Sequence, residues 1–374
     1  MSGTSRDIIA GLLSAADIEI GGAREWDIQV HDDRFYRRVL SGGSLALGES
    51  YMDGWWDCEV LDQFFCRILG AGLDKRVKGL KNVLWLGFRA WVTNMQGKRR
   101  AYNIGEKHYD LGNDLYQAML DRRLNYSCAY WNGARDLDEA QEAKLELSCR
   151  KLGLEPGMSV LDIGCGWGAF AGYAAEKYGV KVTGITVSRE QVALGRKMCL
   201  GLPVDIKLQD YRDLSGRFDR IISIGMIEHV GFKNYRTYMD VVDRCLAGDG
   251  LFLLQTIGNN TSGRRGDPWM DKYIFPDGML PSPAYLARAA EGLFVTEDWH
   301  NFGTHYDRTL MAWQANFVRN WDRLSRDGKY DGRFYRMWTY YLLSCAGAFR
   351  ARKSQLWQIM LSKNGVRGGY VSVR

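Results

Sequence analysis

The chain has 374 residues, 46% of them hydrophobic, 25% charged and 13% aromatic, with 43 glycines against six prolines and a formal charge of +6. This size and balance exclude a disordered chain, a collagen-like repeat and a small disulfide-stapled scaffold, and they leave room for two domains or one large one. The surplus of cations admits nucleic acid, an anionic membrane or acidic ligands as partners, because charge alone does not choose among them.

Residues 1–100 read as helical pieces separated by glycines, including the aromatic-acidic stretch Glu49–Asp57. The apolar patch Ile8–Ala16 is flanked by Asp7, Asp17 and Glu19, unlike a signal peptide. Between Lys75 and Arg100 stand eight cations (Lys75, Arg76, Lys78, Lys81, Arg89, Lys98, Arg99 and Arg100) and no acidic residue. Val77, Leu80, Leu84, Phe88 and Trp91 recur there at steps of three and four and form one apolar stripe, the pattern of an interfacial amphipathic helix. A helix packing that stripe on its own core has the same periodicity.

A helix is expected from Asp138 to Leu152, with Leu145, Cys149 and Leu152 on one face. Strands and helices then alternate. Strands are expected at Ser159–Gly164, Lys181–Thr186, Asp205–Gln209, Asp219–Gly225 and Leu251–Ile257, and helices at Trp167–Tyr178, Ser188–Leu200 and Tyr235–Leu246. Such alternation implies a mostly parallel sheet with helices on both faces. Helices at Asp307–Leu324 and Phe334–Arg350 and a closing strand at Gln355–Leu361 complete the chain. No uncharged apolar run approaches the roughly 20 residues a spanning helix needs, so any membrane contact is expected to be peripheral. The eight cysteines include no CxxC and no Cys/His pairing of zinc spacing; a reducing compartment and no metal are expected.

Leu161–Gly168, reading LDIGCGWG, falls where the first of these strands turns into a helix. Gly164, Gly166 and Gly168 let backbone approach a ligand with no Cβ in the way. The spacing is GxGxG, not the GxGxxG of a pyrophosphate site, and Asp162 with Cys165 and Trp167 suits a cationic, phosphate-free ligand. This arrangement resembles the first motif of class I S-adenosylmethionine-dependent methyltransferases. The resemblance implies a Rossmann-like α/β fold with a mixed, mostly parallel sheet. The second strand lacks the acidic residue that usually holds the ribose; Thr186 and Gln191 stand in its place, which also counts against NAD. Asp210 and Tyr211, after the third strand, are placed to flank the adenine.

Further segments narrow the resemblance: Gly48–Trp56, Gly105–Asn113, Tyr126–Trp131 (YSCAYW), Gly225–Gly231 (GMIEHVG), Leu254–Gly258, Asp298–Phe302, Tyr306–Trp313 and Tyr340–Arg350. Together they closely resemble the cyclopropane-fatty-acyl-phospholipid synthases of bacteria, over essentially the whole chain. That family adds a methylene across a cis double bond of a phospholipid acyl chain. The resemblance implies a helical N-terminal lipid-associating domain with a basic linker at 1–100 and a catalytic domain at 101–374. It also implies S-adenosylmethionine bound in part by Tyr126 and Ser127, and a bicarbonate ion as the base that closes the ring. The ion would be held by Cys128 and Ile257 through their backbones, by Glu228 and Tyr306, and by position 255. Many members have histidine at that position; this chain has Gln255, which can donate and accept hydrogen bonds but cannot relay a proton near neutral pH. Cys345 is a candidate nucleophile of the family, though the chemistry requires no covalent intermediate, and a buried structural thiol fits it equally. A homodimer, a peripheral position on the inner face of the membrane and no nucleic-acid partner are expected. A relative making methyl-branched lipid or methylating another acceptor, and a catalytically lapsed lipid-binding protein, are the alternatives.

Overall fold

The hydroxyl of Thr4 accepts from the Asp7 N–H at 3.2 Å while the Asp7 carboxylate accepts from the Thr4 N–H at 2.8 Å, a capping box that starts helix α1 (Ser5–Ser14). A two-residue antiparallel pair follows, β1 (Gln29–Val30) on β2 (Trp56–Asp57), and between them runs α2 (Arg34–Met52), kinked where Gly43 leaves helical geometry at φ 58°. Helix α3 (Leu61–Gly70) comes next. The structure, a computed structural model, describes residues 4–73, 112–263 and 266–374. The cationic segment Lys75–Arg100 and most of the Gly105–Asn113 motif therefore lie outside the described residues.

Helices α4 (Asn113–Met119) and α5 (Leu137–Leu152) precede the sheet. The Asp136 carboxylate caps α5 by accepting from the Glu139 N–H at 2.9 Å, and Gly153 ends it in the left-handed conformation. The alternation read from the sequence is present: β3 (Ser159–Ile163), α6 (Ala169–Tyr178), β4 (Lys181–Thr186), α7 (Arg189–Met198), β5 (Val204–Leu208), β6 (Phe218–Ile224), α8 (Tyr235–Cys245) and β7 (Leu246–Asn259). Strand β7 starts five residues before the expected Leu251 because Leu246 also pairs with Phe218, across an irregularity in the ladder.

Helix α9 (Pro268–Tyr273), helix α10 (Pro283–Ala290) and strand β8 (Val295–Asn301) follow; the sequence reading contained none of these three. Strand β8 reads Val-Thr-Glu-Asp-Trp-His-Asn, without apolar alternation, because it is an edge strand paired only to β9 (Ser354–Ser362). The helix expected at Asp307–Leu324 is two helices, α11 (Thr304–Arg319) and α12 (Trp321–Ser325). The Asn320 side chain donates to the Asn316 carbonyl at 2.9 Å beside its own N–H, which reaches the same carbonyl at 3.1 Å, so the last helical bond of α11 is kept and doubled where the helix ends. Helix α13 (Gly332–Arg350) precedes β9.

The chain forms two units: residues 1–93, 265–276 and 306–354, and residues 94–264, 277–305 and 355–374. Segments 265–276 and 306–354 belong by sequence to the 101–374 stretch but pack with the N-terminal helices. In that first unit α13 crosses α3 at Gly347, and Arg350 holds the Asp307 carboxylate with two bonds of 2.9 Å. The second unit contains the seven-stranded sheet, in the order β5-β4-β3-β6-β7-β9-β8, with β3 to β7 parallel and β8 antiparallel to β9. Strand order reverses between β3 and β6, and the carboxyl end of such a switch point is where open α/β sheets bind ligands. One apolar cluster covers each face of the sheet.

No helix among the described residues is long and apolar enough to cross a membrane. A Cβ on Gly347 would lie 2.6 Å from the Asp62 carbonyl oxygen and 2.9 Å from the Cys66 nitrogen, backbone atoms of α3 that cannot swing aside. Gly347→Ala is expected to cost about 1–3 kcal/mol, seen as a fall of several degrees in melting temperature. Gly332→Ala, which meets nothing within 4 Å, should leave it unchanged or slightly higher.

Candidate active site

The glycine turn at the end of β3 is pinned to the end of β4: the N–H groups of Gly164 and Cys165 both reach the Ile185 carbonyl, at 2.9 and 3.0 Å. Gly164 sits at φ 84°, and a Cβ there would come within 2.9 Å of Met226. A Cβ on Gly166, at φ 57°, would meet nothing within 4 Å among the described residues, so on their side the turn faces an open cradle. Gly168 leads into α6. Trp167 is buried, its ring 5.0 Å from Tyr116 and its indole N–H donating to Asn113 at 3.0 Å. Tyr116 also meets Tyr126, at 5.1 Å, so an aromatic row joins the glycine turn to the Tyr126–Trp131 segment. The Cys165 thiol is buried and driven well above the usual thiol range by desolvation.

At the end of β4 the Thr186 hydroxyl donates to the Gln191 side-chain oxygen at 2.6 Å, and the Gln191 N–H completes the Ser188 cap of α7 at 3.3 Å. Asp210 is buried, and its carboxylate accepts from the Arg212 N–H at 2.9 Å; Tyr211 packs in the core with its ring 5.3 Å from Tyr238. Burial pushes the Asp162 carboxyl up to about 7, against the pull of Lys144.

Lys144 is a residue the sequence reading missed. It is fully buried, donates to Asn125 at 2.7 Å and Ser127 at 3.2 Å, and is brought down to about 8 by desolvation, which Asp121, Cys128 and Asp162 oppose. The sequence did carry a signal for it. Gln141, Lys144, Ser148 and Lys151 recur on α5 at steps of three and four, a polar stripe at the spacing of a buried face, and all four are buried.

Glu228 follows β6 in a single 3₁₀ turn (Ile227–His229). Its Oε1 accepts from the Ile257 N–H at 2.8 Å; its Oε2 is buried with no hydrogen-bond partner among the described residues. Desolvation pushes this carboxyl up to about 7. The neighbouring His229 is brought down to about 4 by burial and is neutral at physiological pH. Gln255, on β7, pairs in register with Ile224, and its carbonyl accepts from the Gly225 N–H at 3.0 Å. Its side-chain oxygen accepts from Gln358 at 2.9 Å, while its Nε2 is buried without a hydrogen-bond partner among the described residues. The Ile257 N–H, expected to face an anion, is given to Glu228 instead. Cys128 is wholly buried, its thiol 3.2 Å from the Ala129 carbonyl.

Cys128, Glu228, Gln255 and Ile257 thus lie in the second unit. Tyr306 and Cys345 lie in the first: Tyr306 is buried on α11 with its ring 4.6 Å from Phe349, and the Cys345 thiol on α13 is pushed up to about 12 by burial, protonated at neutral pH. The geometry offers an open glycine cradle flanked by a desolvated carboxyl, which suits a cationic ligand. At the ends of β6 and β7 it offers one carboxyl oxygen and one amide nitrogen awaiting partners.

Residues 96–359 match the family model for mycolic acid cyclopropane synthetase. The chain is 54% identical over 359 residues, 96% of its length and 93% of the relative's, to the cyclopropane-fatty-acyl-phospholipid synthase of Escherichia coli K12. Two solved structures share its fold. A cyclopropane synthase from Mycobacterium tuberculosis has a TM-score of 0.66 at 30% identity, covering 72% of this chain and all of that one. A mycolic acid cyclopropane synthase complexed with SAH and CTAB has a TM-score of 0.64 at 33% identity, covering 70% of this chain and 98% of that one.

A carboxyl that stays protonated to about pH 7 when folded, but ionises near 4.5 when unfolded, makes the folded state the stronger proton binder. Glu228 therefore subtracts stability as pH rises from about 4.5 through 7. In the ligand-free protein Glu228→Gln should melt higher than the parent at pH 8, by a few degrees, and the gain should shrink as pH falls to 5. An equal gain at both pH values would contradict the assigned burial.

Proposed function

The chain belongs to the mycolic acid cyclopropane synthetase family, and from that premise we propose that it transfers the methyl group of S-adenosylmethionine to the cis double bond of an unsaturated phospholipid acyl chain and closes a cyclopropane ring. The observation that carries the reading is the buried, half-partnered Glu228 carboxyl at the end of β6, in the same unit as the open glycine cradle. S-adenosylmethionine supplies an electrophilic methyl, and a bound bicarbonate supplies the base that removes a proton as the ring closes.

The residues present fit both groups. Gly164, Gly166 and Gly168 hold the backbone clear of the donor, with Tyr126, Ser127 and Cys165 beside the turn. Asp162 offers negative charge to a cation, and a cation brought to it favours its ionised form. The Thr186–Gln191 pair serves the ribose diol and Asp210 with Tyr211 the adenine. Trp167 acts by packing, since its ring and N–H are already engaged. The unpartnered Gln255 Nε2 donates to the anion, and Glu228, in its protonated form, donates to it from Oε2. Cys128 contributes its backbone. Ile257 acts through Glu228, holding its carboxyl by the 2.8 Å bond. The roles of Tyr306, as a further ligand of the base, and of Cys345 rest on their sequence motifs alone; a thiol protonated at neutral pH favours a structural part for Cys345. An alkene is a weak nucleophile and the cation it forms is trapped by water, so alignment and dryness are what the protein adds.

The basic segment Lys75–Arg100 is proposed as the peripheral contact with the inner face of the membrane, in a protein that works as a homodimer. It holds eight of the 50 cations and none of the 44 acidic residues, so the rest of the chain is slightly acidic and the surplus of positive charge is local. Each well-placed cation is worth about 1 kcal/mol at an anionic bilayer.

With S-adenosylmethionine and vesicles of monounsaturated anionic phospholipid, the acyl chains should gain the mass of one methylene and lose no unsaturation equivalent, the ring replacing the double bond. Saturated methyl-branched chains, or no change, would overturn the assignment. Glu228→Gln should lose nearly all turnover in this assay while S-adenosylmethionine affinity changes little. Reversing the charges of Lys75, Arg76, Lys78 and Lys81 should weaken vesicle binding markedly at low salt; unchanged binding would remove that segment from the membrane contact.

A further inference from the structure

Gln358 belongs to none of the motifs above. It lies on β9, next to β7 in the sheet, on a face where alternation calls for an apolar side chain. Met360, two residues on, packs in the core cluster with Leu251 and Leu253 of β7, and the next residue of β7 on that face is Gln255. Two almost wholly inaccessible glutamines therefore meet where Leu or Met would pack.

An amide's two ends are told apart by their partners, and here Ser148 of α5 tells them apart. Its hydroxyl donates to the Lys144 carbonyl at 2.8 Å, the back-bond a helical serine makes. Its single proton is then committed, and toward Gln358, 3.2 Å away, the oxygen can only accept. Gln358 must turn its nitrogen to Ser148, and the same nitrogen donates to the Gln255 oxygen at 2.9 Å. Gln255 is left with its nitrogen directed away from Gln358, and that nitrogen, like the Gln358 oxygen that this arrangement turns away from both neighbours, is buried without a partner among the described residues.

We infer that Gln358, set by Ser148, is the positioning residue that fixes the Gln255 amide with its nitrogen toward the base, so that this chain holds its bicarbonate by an amide donor matched to position 358. The inference rests on the reading of the base given under the proposed function. It makes positions 148, 255 and 358 one unit.

The test is a bicarbonate titration of the full-length protein with S-adenosylmethionine and vesicles in bicarbonate-depleted buffer. Gln358→Met fills the volume beside Met360 but no longer fixes the Gln255 amide. The half-saturating bicarbonate concentration should rise about tenfold, hydrogen bonds to charged groups being worth roughly that factor, while the KM for S-adenosylmethionine and the melting temperature hold. Gln358→Glu, an acceptor where a donor is needed, should raise it at least as much. In a Gln255→Met background, adding Gln358→Met should cause no further rise, a coupling that general loosening of the core would not produce. If the parent depends on bicarbonate and Gln358→Met leaves half-saturation within about twofold, or if its effect persists in the Gln255→Met background, the positioning role is wrong and the base reading stands. If the depleted parent turns over at full rate without bicarbonate, the base reading itself is wrong, and this inference with it.

Discussion

Taking the Glu228 carboxyl out of water, at a cost that its few hydrogen bonds oppose without cancelling, is the constraint from which the rest of the site follows. The bond to Ile257 joins the turn after β6 to β7, the Gly225 N–H to Gln255 carbonyl bond of 3.0 Å reinforces that join, and the Met279 N–H ties the same turn to the segment before α10 through the Glu228 carbonyl at 2.8 Å. A buried polar atom left unpartnered costs about 1–3 kcal/mol, and among the described residues Glu228 Oε2, Gln255 Nε2 and Gln358 Oε1 are such atoms. Such a cost is ordinary where a site must be dry before its ligand arrives. Dryness also raises the carboxyl toward neutrality, so water exclusion and proton state have one cause.

The same economy appears around the glycine turn. Asp162 and Lys144 lie in one buried region, each drawn toward its neutral form by desolvation and each partly restored by the other. Lys144 also positions Asn125 and Ser127, immediately before Cys128. Charge in this unit is therefore balanced in the interior by a lysine that no glycine or carboxylate motif announces.

The parts of the fold legible in the sequence were those governed by local rules. Alternating buried strands and capped helices from Ser159 to Ile257 fall within one or two residues of expectation at most boundaries, because apolar runs and caps are written in adjacent residues. Strand β8 was not legible, since an edge strand needs no apolar alternation, and neither was the break at Asn320, where the backbone leaves helical geometry at φ −99° and ψ 6° with no glycine or proline to announce it. The glycine turn and Glu228 could be found from motif and position. That Ile257 would give its N–H to Glu228, that Trp167 would be occupied by Asn113, and that Gln358 would meet Gln255 depend on residues far apart in the chain. The buried stripe Gln141–Lys144–Ser148–Lys151 was visible as a periodicity, but a polar stripe is ordinarily assigned to solvent.

The first unit is assembled from the beginning of the chain and from segments near its end. During synthesis, α1, α2 and α3 leave the ribosome long before α13, whose Gly347 notch receives α3, has been made. Their contacts with α13 must wait while six of the seven strands of the sheet, β3 to β8, are translated; β9 follows α13. The earliest part of this protein to exist thus stays incomplete until the chain has reached residue 354 of 374, and its exposure in the interval is set by the order of the gene, not by the stability of the finished fold.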